Sequence, residues 1–354
     1  MGKTMLAFQL HGARDLRAVE LPRPEPGPGA VLVAMRRAGI CGSDIHYFTH
    51  GAVGRFVPKR PFVLGHEFAG EVMALGQGAA PSLLGARVAV DPSHPCGACR
   101  FCAVGRSNLC LNMRFLGSAS CDPHLDGGFA EYVAVPARNC HILPAQVTWG
   151  AAALIEPLSV CLHALGRAGG LAGRAVLVTG GGTIGQLTAL LARAAGAAPV
   201  ILSDPDSFAR ETALRIGADA TLDPQRPDFA EAVEAAAPDG IAVAFEASGA
   251  PAALAQAIAL VERGGTIVQI GTLPPEVALP ANDIMARELT LAGSFRFAAA
   301  FAPVLRLLQS GRLDVTPVIS HVAPLAETGV AMAAAVARAG VIKAQLAAGE
   351  AASG

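Results

Sequence analysis

The stretch VTGGGTIG at residues 178–185 ends an apolar run, AVLV, and begins a segment with helical periodicity, QLTALLARAAGA. Gly180, Gly182 and Gly185 therefore stand in the G-x-G-x-x-G register of a strand, a tight turn and a helix. The first glycine permits the turn, the second lets the backbone approach a pyrophosphate, and the third allows close packing of the helix. Glycine triplets are also typical of ordinary turns, so the neighbouring segments must decide between these two interpretations.

Strand-like and helix-like segments alternate after about Gly150. The apolar runs PVILSD, IAVAFEASG, GTIVQIGT and ELTLAGS are separated by segments with helical patterns. Continuously apolar strands that alternate with helices predict a parallel sheet covered on both faces, the doubly wound α/β architecture. Before Gly150 the chain reads instead as short β segments separated by glycine and proline, for example at 29–40, 67–76 and 86–92. This first region is predicted to be rich in β structure.

An acidic residue ends the strand that follows the glycine-rich turn. Asp204 closes PVILSD, 19 residues beyond Gly185, where a carboxylate would accept hydrogen bonds from ribose hydroxyls and repel a 2′-phosphate. The pattern favours NAD over NADP. A loop carboxylate or helix cap ahead of Pro205 is the alternative interpretation of Asp204, and the nearby Arg210 keeps NADP possible.

Composition excludes several classes of protein. The chain has 354 residues, of which 52% are hydrophobic and 16% charged, so disordered and fibrous proteins are excluded. A net charge of −1 without a basic run offers no footprint for nucleic acid. The amino terminus has no uninterrupted apolar segment of signal-peptide length, and no later window reaches the roughly 18 to 20 apolar residues that span a bilayer. We therefore expect a soluble cytoplasmic protein that does not bind membranes.

Four of the eight cysteines crowd into the run PCGACRFCAVGRSNLC. The spacing C-x2-C-x2-C-x7-C allows Cys96, Cys99, Cys102 and Cys110 to surround one tetrahedral ion. A closed set of four thiolates is typical of structural zinc, because no position is left for a substrate. A disulfide pair or accidental clustering is the alternative, and a reducing compartment disfavours the disulfide.

Further candidate zinc ligands are scattered along the chain. Cys41 begins CGSDIHY, His66 and Glu67 lie in LGHEFAG, and Glu156 lies in LIEPLSV. Thiolate, imidazole and carboxylate groups all bind zinc, and three protein ligands with an exchangeable position describe a catalytic metal site. Each residue alone is more often a buried thiol, an ordinary histidine or a solvated glutamate. Their spacing in the sequence does not by itself assign them to one metal site.

The ordered set CGSDIHY, LGHE, the four-cysteine loop, IEPLSV and VTGGGTIG resembles the zinc-containing medium-chain dehydrogenase/reductase family over essentially the whole chain. Glu156 stands where alcohol dehydrogenases place a cysteine, which is similar to the polyol dehydrogenase branch. The stretches HYFTHGAVGRFVPKRPFVLGHE and GSFRF are similar to bacterial L-idonate 5-dehydrogenases. The resemblance implies a GroES-like catalytic domain at 1–152 and 294–354, a Rossmann domain at 153–293, and a homodimer or homotetramer.

The resemblance also implies roles for individual residues. Cys41, His66 and Glu156 would hold a catalytic zinc, with Glu67 as a ligand that exchanges with water and Asp44 orienting His66. Ser43 would receive the proton of the substrate hydroxyl, and His46 would pass it to solvent. The implied cofactor contacts are Gly180, Gly182, Ile184, Gly185, Asp204, Arg210, Ile270, Thr272, Ser294 and Arg296. The implied substrate contacts are Tyr47, Phe56, Phe115, Glu156 and Arg296.

The substrate interpretation depends on the same resemblance. It implies oxidation of L-idonate to 5-keto-D-gluconate, and Arg296 is hypothesised to attract the carboxylate of this sugar acid because a guanidinium group fits a carboxylate in a bidentate fork. Polyol dehydrogenases commonly have Arg-Tyr where this chain has Arg296-Phe297, and related enzymes have an arginine where it has Ala209. Sorbitol, xylitol, L-threonine and butanediol dehydrogenases stay open as alternatives. So does a zinc-stabilised binding protein without catalytic activity.

Overall fold

The computed structural model describes residues 3–349. The strands are β1 Thr4–Gly12, β2 Asp15–Pro22, β3 Ala30–Gly39, β4 Phe62–Val63, β5 Glu67–Leu75, β6 Arg87–Val90, β7 Ser93–His94, β8 Arg114–Phe115, β9 Tyr132–Pro136, β10 Cys140–Ile142, β11 Val176–Thr179, β12 Val200–Ser203, β13 Ala220–Leu222, β14 Ile241–Glu246, β15 Val261–Gln269, β16 Thr290–Gly293, β17 Ile319–Pro324 and β18 Lys343–Ala347. The helices are α1 Gly42–His50, α2 Arg100–Ala103, α3 Trp149–Ala153, α4 Ile155–Ala168, α5 Thr183–Ala194, α6 Ser207–Arg215, α7 Phe229–Ala236, α8 Pro251–Leu260, α9 Ala281–Ala286, α10 Phe301–Gln309 and α11 Thr328–Ala337.

The chain divides into two compact units. The first, called the β-rich unit here, comprises Met1–Glu156, Phe301–Gln309 and Ile319–Gly354. The second, called the doubly wound unit, comprises Pro157–Ala300 and Ser310–Val318. Over residues 3–349, no helix is both long enough and apolar enough to cross a membrane.

The β-rich unit is built around a mixed sheet in the order β10-β6-β5-β3-β18-β17, with β9 also paired to β3. Strand β3 lies near the middle, and all but two of its ten residues are buried, in agreement with its apolar run AVLVAM. A smaller sheet, β2-β1-β4, shares the same core, to which Phe62, Phe68 and Phe129 contribute large buried side chains. The sheet order places the beginnings of β5 and β18 beside the end of β3.

The doubly wound unit contains a parallel sheet in the order β13-β12-β11-β14-β15-β16. Strands β11, β12 and β14 are almost completely buried, as expected for strands covered on both faces. The chain leaves β11 to one side for β12 and β13 and to the other side for β14, β15 and β16. Such a reversal creates a crevice at the carboxyl ends of the strands, which is where ligands bind in this architecture. The predicted α/β fold class is confirmed.

Candidate active site

Three metal-ligating side chains come together at one end of the main sheet of the β-rich unit. Ligand atoms of Cys41, His66 and Glu67 lie within 4.8 Å of one another. Cys41 follows β3, and Glu67 begins β5, with Gly39 of β3 opposite Glu67 in the antiparallel register. A β-carbon at position 39 would collide with Glu67 Oε2, so the glycine leaves the space that the carboxylate occupies. Strand pairing therefore joins donors that the sequence keeps apart.

Asp44 fixes the backbone beside both Cys41 and His66. The backbone N–H of Cys41 donates to Asp44 Oδ2 at 2.9 Å, and that of Gly65 donates to Asp44 Oδ1 at 3.3 Å. Asp44 Oδ1 lies 3.9 Å from His66 Nδ1, which is too long for a hydrogen bond. Asp44 is fully buried, and burial raises the pKa of its carboxyl group. Its hydrogen-bonded effect on His66 is through the backbone of Gly65, which it holds.

A buried lysine stands beside the donor cluster. Lys343 Nζ lies 2.5 Å from Glu67 Oε2 and donates to the carbonyl oxygen of Ile40 at 2.9 Å. Both side chains of the ion pair are 1% exposed. Sequence reasoning missed Lys343, although a lysine inside the mostly apolar terminal strand VIKAQLA is the signal that could have found it.

Glu156 lies in the first turn of α4 and is buried. It does not belong to the group of atoms within 4.8 Å that Cys41, His66 and Glu67 form. Its electrostatic surroundings nevertheless include all three of those residues: burial is the main cause that raises the pKa of Glu156 to about 8, His66 opposes it, and Glu67 and Cys41 act in the same direction as burial. The structure thus brings Glu156 near the cluster, with Glu67 in the closer position.

The charges of these residues fit a bound cation. Cys41, Asp44, Glu67 and Glu156 can each carry a negative charge in a buried setting, whereas Lys343 is the one lysine or arginine among the partners described for them. Burial, reinforced by the charge of Glu67, raises the pKa of the Cys41 thiol to about 12. Uncompensated charge is costly away from water. A divalent metal would compensate these carboxylates and favour the thiolate, and thiolate, imidazole and carboxylate ligands suit zinc.

The predicted proton path runs along α1. Ser43 and His46 are three positions apart on this helix and so lie on the same face. The Ser43 hydroxyl hydrogen-bonds the Cys41 thiol and lowers its pKa, which places Ser43 at the metal cluster. His46 is exposed and stacks on His50 with 5.4 Å between ring centroids. Partial burial, with the charges of His50 and Arg338, lowers the pKa of His46.

The four cysteines of the predicted structural site also come together. Sulfur atoms of Cys96, Cys99, Cys102 and Cys110 lie within 4.8 Å of one another, with Cys96 and Cys110 3.4 Å apart and Cys99 and Cys102 3.5 Å apart. Backbone N–H groups of Leu111 and Cys102 lower the pKa of Cys99 to about 6. Amide groups that point at thiols stabilise thiolates, so this loop fits a tetrahedral zinc ion.

The predicted substrate contacts differ in their surroundings. The Phe115 ring packs edge-on against His66 with 5.6 Å between centroids. Phe56 is half-buried and faces an open cleft described below. Tyr47 is buried, and its hydroxyl oxygen accepts a hydrogen bond from the backbone of Ala119 at 3.0 Å. Arg296 belongs to the doubly wound unit and has a left-handed backbone, with φ of 51°.

The glycine-rich turn of the doubly wound unit has the conformation that its sequence predicts. Gly180 has φ of 95°, which favours glycine. A β-carbon on Gly185 would collide with the Gly180 carbonyl oxygen, and Gly182 is the N-cap of α5 with open space around it. This arrangement leaves the amino end of α5, including Thr183 and Ile184, open to a phosphate group.

Asp204 and Arg210 lie at the carboxyl end of β12. Asp204 accepts hydrogen bonds from the backbone of Gly181 at 2.6 Å and of Asp206 at 2.8 Å, so it organises the turn. The Arg210 guanidinium donates to the carbonyl oxygens of Asp204 and Pro205, at 2.7 and 2.8 Å. Arg210 is therefore engaged by backbone acceptors rather than extended towards a ribose.

The remaining predicted cofactor residues lie at the carboxyl ends of β15 and β16. The backbone of Ile270 donates to the carbonyl oxygen of Glu246 at 2.8 Å, Thr272 lies against Gly249, and the Ser294 hydroxyl is buried without a hydrogen-bond partner within residues 3–349. Glu246, which sequence reasoning missed, is fully buried, and its side chain accepts hydrogen bonds from the backbones of Ser248 and Gly249, both at 2.8 Å. It fixes the loops of the cofactor edge.

Known proteins are similar to this chain in both sequence and fold. The family described as "Alcohol dehydrogenase GroES-like domain" matches residues 27–145, and "Zinc-binding dehydrogenase" matches 183–310. Sorbitol dehydrogenase of Gallus gallus is 38% identical, with 90% of each chain covered. The structure of L-idonate 5-dehydrogenase from Escherichia coli K-12 has a TM-score of 0.92 and 33% identity, with 98% of this chain and 99% of that chain covered. A zinc-binding dehydrogenase of Sinorhizobium meliloti 1021 bound to NADP has a TM-score of 0.90 and 36% identity, with 98% of this chain and 100% of that chain covered.

The fold, the donor clusters and these relatives define the class of protein: the chain is a dehydrogenase. It belongs to the polyol dehydrogenase branch of the zinc-containing medium-chain dehydrogenase/reductase family, and it is a zinc-dependent alcohol or polyol dehydrogenase. The resemblance found in the sequence motifs is thereby confirmed.

Proposed function

We propose that the chain oxidises the C5 hydroxyl of L-idonate to the ketone of 5-keto-D-gluconate, with NAD as the acceptor. The alcohol carbon loses a hydride, and its hydroxyl loses a proton. The observation that carries the chemistry is the buried cluster of Cys41, His66 and Glu67 with Glu156 nearby. The similarity of the chain to L-idonate 5-dehydrogenase supports the substrate.

Two zinc ions per chain are part of this proposal. One would be held by Cys41 and His66 with Glu67 or Glu156, and as a Lewis acid it would lower the pKa of the substrate hydroxyl. Cys96, Cys99, Cys102 and Cys110 would hold the other, which fixes their loop. The positions of Glu67 and Glu156 support an exchange between the two carboxylates, because Lys343 already holds Glu67.

The residues of α1 would move the proton. Ser43 Oγ accepts the proton of the substrate hydroxyl because an alcohol oxygen both accepts and donates hydrogen bonds. His46, on the same helix face and exposed, releases the proton to solvent. Its lowered pKa suits this task, since a weakly basic imidazole gives its proton up near neutral pH.

The acidic residue at the end of β12 supports NAD as the cofactor. Asp204 holds the turn through two backbone N–H groups, and as a carboxylate it would repel a 2′-phosphate. The NADP bound to the S. meliloti relative makes NADP the alternative.

We also propose that the protein is a cytoplasmic homodimer or homotetramer. Its catalytic domain would comprise residues 1–152 and 294–354, and its Rossmann domain residues 153–293. A reducing compartment would keep the metal-binding thiols free of disulfide bonds.

A substrate panel tests the proposal. L-idonate, D-gluconate, sorbitol, xylitol, L-threonine and butanediol are each assayed with NAD and with NADP. We expect the highest kcat/KM for L-idonate with NAD. A higher kcat/KM for sorbitol or xylitol would contradict L-idonate as the substrate and favour the second candidate, a neutral polyol, which the sorbitol dehydrogenase relative supports. Absence of turnover with every alcohol would favour a zinc-stabilised binding protein.

A further inference from the structure

An open cleft of about 480 Å³ lies in the β-rich unit between residues 55–59 and 119–124. Two cations, Arg55 and Lys59, line it together with one acid, Asp122. Asp122 is already paired with Lys59 at 3.1 Å and with Arg60, which lies outside the lining, at 2.7 Å. The charges around the cleft therefore sum to a positive excess.

Arg55 is the cation of this cleft that has no acidic partner among residues 3–349. Its guanidinium lies 5.5 Å from the centre of the Phe56 ring, and none of the ion pairs within residues 3–349 includes it. A guanidinium over an aromatic face keeps all its N–H donors available at its edge. Arg55 is exposed to the cleft, so an anion can approach it without displacing a protein partner.

A hydroxyl group without a partner lines the same cleft. Ser120 Oγ is buried and has no hydrogen-bond partner among the described residues. A buried hydroxyl that makes no hydrogen bond costs free energy, which a ligand oxygen would recover. The cleft thus combines a free guanidinium with a free hydroxyl, the two donor types that a carboxylate accepts from.

One segment of the chain connects this cleft with the metal cluster. Phe115 packs on His66, and Gly117 lies against Gly65, where a β-carbon would meet the Gly65 carbonyl group at 2.5 Å. Ala119 then lines the cleft. Two residues of extended chain span at most about 7 Å, so the cleft begins within a short distance of the residue that precedes His66. Residues 115–119 therefore run from the metal cluster to the lining of the cleft.

We propose that this cleft, which we call the anion cleft, receives the carboxylate of a sugar-acid substrate whose hydroxyl is oxidised at the metal cluster. Arg55 provides the charge, and Ser120 Oγ donates a hydrogen bond. In L-idonate the carboxyl carbon is four carbon–carbon bonds from C5, so one molecule has both groups. This proposal rests on the proposed function and assigns the carboxylate to Arg55 in place of Arg296.

The test compares Arg55→Gln with Arg114→Gln in the zinc-loaded, NAD-bound enzyme. Arg114 is an exposed arginine beside Phe115 that does not line the cleft, so its replacement is a matched loss of charge. We expect Arg55→Gln to lower kcat/KM for L-idonate roughly tenfold, with kcat/KM for sorbitol changed less than twofold. Raising the salt concentration should narrow the difference between wild type and Arg55→Gln, because the cleft is open to solvent. Ser120→Ala should give a smaller loss on L-idonate alone.

Calorimetric titration of the same holoenzyme with D-gluconate separates this proposal from the proposed function, since it requires no turnover. The Kd for D-gluconate should rise roughly tenfold in Arg55→Gln and stay unchanged in Arg114→Gln. If L-idonate is not oxidised but this pattern of Kd values is found, the proposed substrate fails and the anion cleft stands. If the wild type binds no D-gluconate, or Arg55→Gln affects L-idonate and sorbitol equally, the anion cleft is wrong.

Discussion

Lys343 Nζ lies 2.5 Å from Glu67 Oε2 in a setting where both side chains are 1% exposed. Lys343 begins β18 and Glu67 begins β5, and β3 separates the two strands in the sheet. The pair therefore fixes one candidate ligand of the catalytic metal from across a neighbouring strand. Removing either partner would leave a buried charge without compensation.

Replacement of Lys343 by methionine should destabilise the enzyme strongly. We expect Lys343→Met to lower the free energy of unfolding by about 3–5 kcal/mol, because Glu67 stays buried without its cation. Urea denaturation measures the change, and Lys3→Met, at an exposed position, is the control. The double variant Glu67→Gln/Lys343→Met should be more stable than Lys343→Met. A loss below 1 kcal/mol in Lys343→Met would show that the pair is not the stabilising contact inferred here.

The two metal sites should respond separately to cysteine replacement. Cys41→Ser should reduce the zinc content from two ions per chain to one and abolish turnover, while the fold persists. Cys99→Ser should remove the other ion and lower the thermal stability, since that loop depends on its metal. Metal analysis by mass spectrometry, with circular dichroism on the same samples, measures both effects. Retention of two ions in either variant would contradict the corresponding ligand set.

Replacement of Ser43 should slow the reaction without loss of metal. We expect Ser43→Ala to lower kcat by about 10²–10⁴-fold, the range of proton-transfer catalysis, with two zinc ions retained. Thr49→Val is the control, because Thr49 lies on the same helix and donates its hydroxyl to the carbonyl oxygen of Ile45. Wild-type turnover of Ser43→Ala across the pH range would exclude the proposed proton path.

Asp204 should decide the choice between the two nicotinamide cofactors. Asp204→Asn loses the charge and keeps only one of the two oxygens that accept from the backbones of Gly181 and Asp206. We expect KM for NADP to fall and KM for NAD to rise by about tenfold. Asp206→Asn is the matched control: Asp206 caps α6 through the backbone N–H of Phe208, and asparagine caps helices equally well. An unchanged ratio of kcat/KM values for NAD and NADP in Asp204→Asn would remove Asp204 from the selection of the cofactor.

Features that depend on local spacing could be predicted from the sequence. The four-cysteine loop and the glycine-rich turn each lie within one short segment, where residue spacing and backbone conformation are directly related. The doubly wound sheet followed from apolar strands that alternate with helices, and its class is confirmed. These predictions needed no knowledge of which strands pair at long range.

Features that depend on sheet order could not be predicted in this way. The pattern of VIKAQLA does not indicate that β18 pairs with β3, so the contact of Lys343 with Glu67 could not be predicted from the sequence. For the same reason, the prediction that Cys41, His66 and Glu156 form one site with Glu67 came from a family resemblance rather than from spacing. The lack of an ion pair for Arg55 likewise depends on long-range contacts, because Asp122, from a segment more than sixty residues later, pairs with Lys59 and Arg60 instead.

The ion pair also determines when, during synthesis of the chain, the site around Glu67 can be completed. Glu67 receives its cation from a residue 276 positions later in the chain. Lys343 is synthesised after the glycine-rich turn and after every candidate zinc ligand. Until then, Glu67 has no lysine beside it. The zinc ion proposed for the four-cysteine loop can bind early in translation, because the four cysteines lie within one short segment. The catalytic centre takes its final form only after β18 has left the ribosome and joined β3.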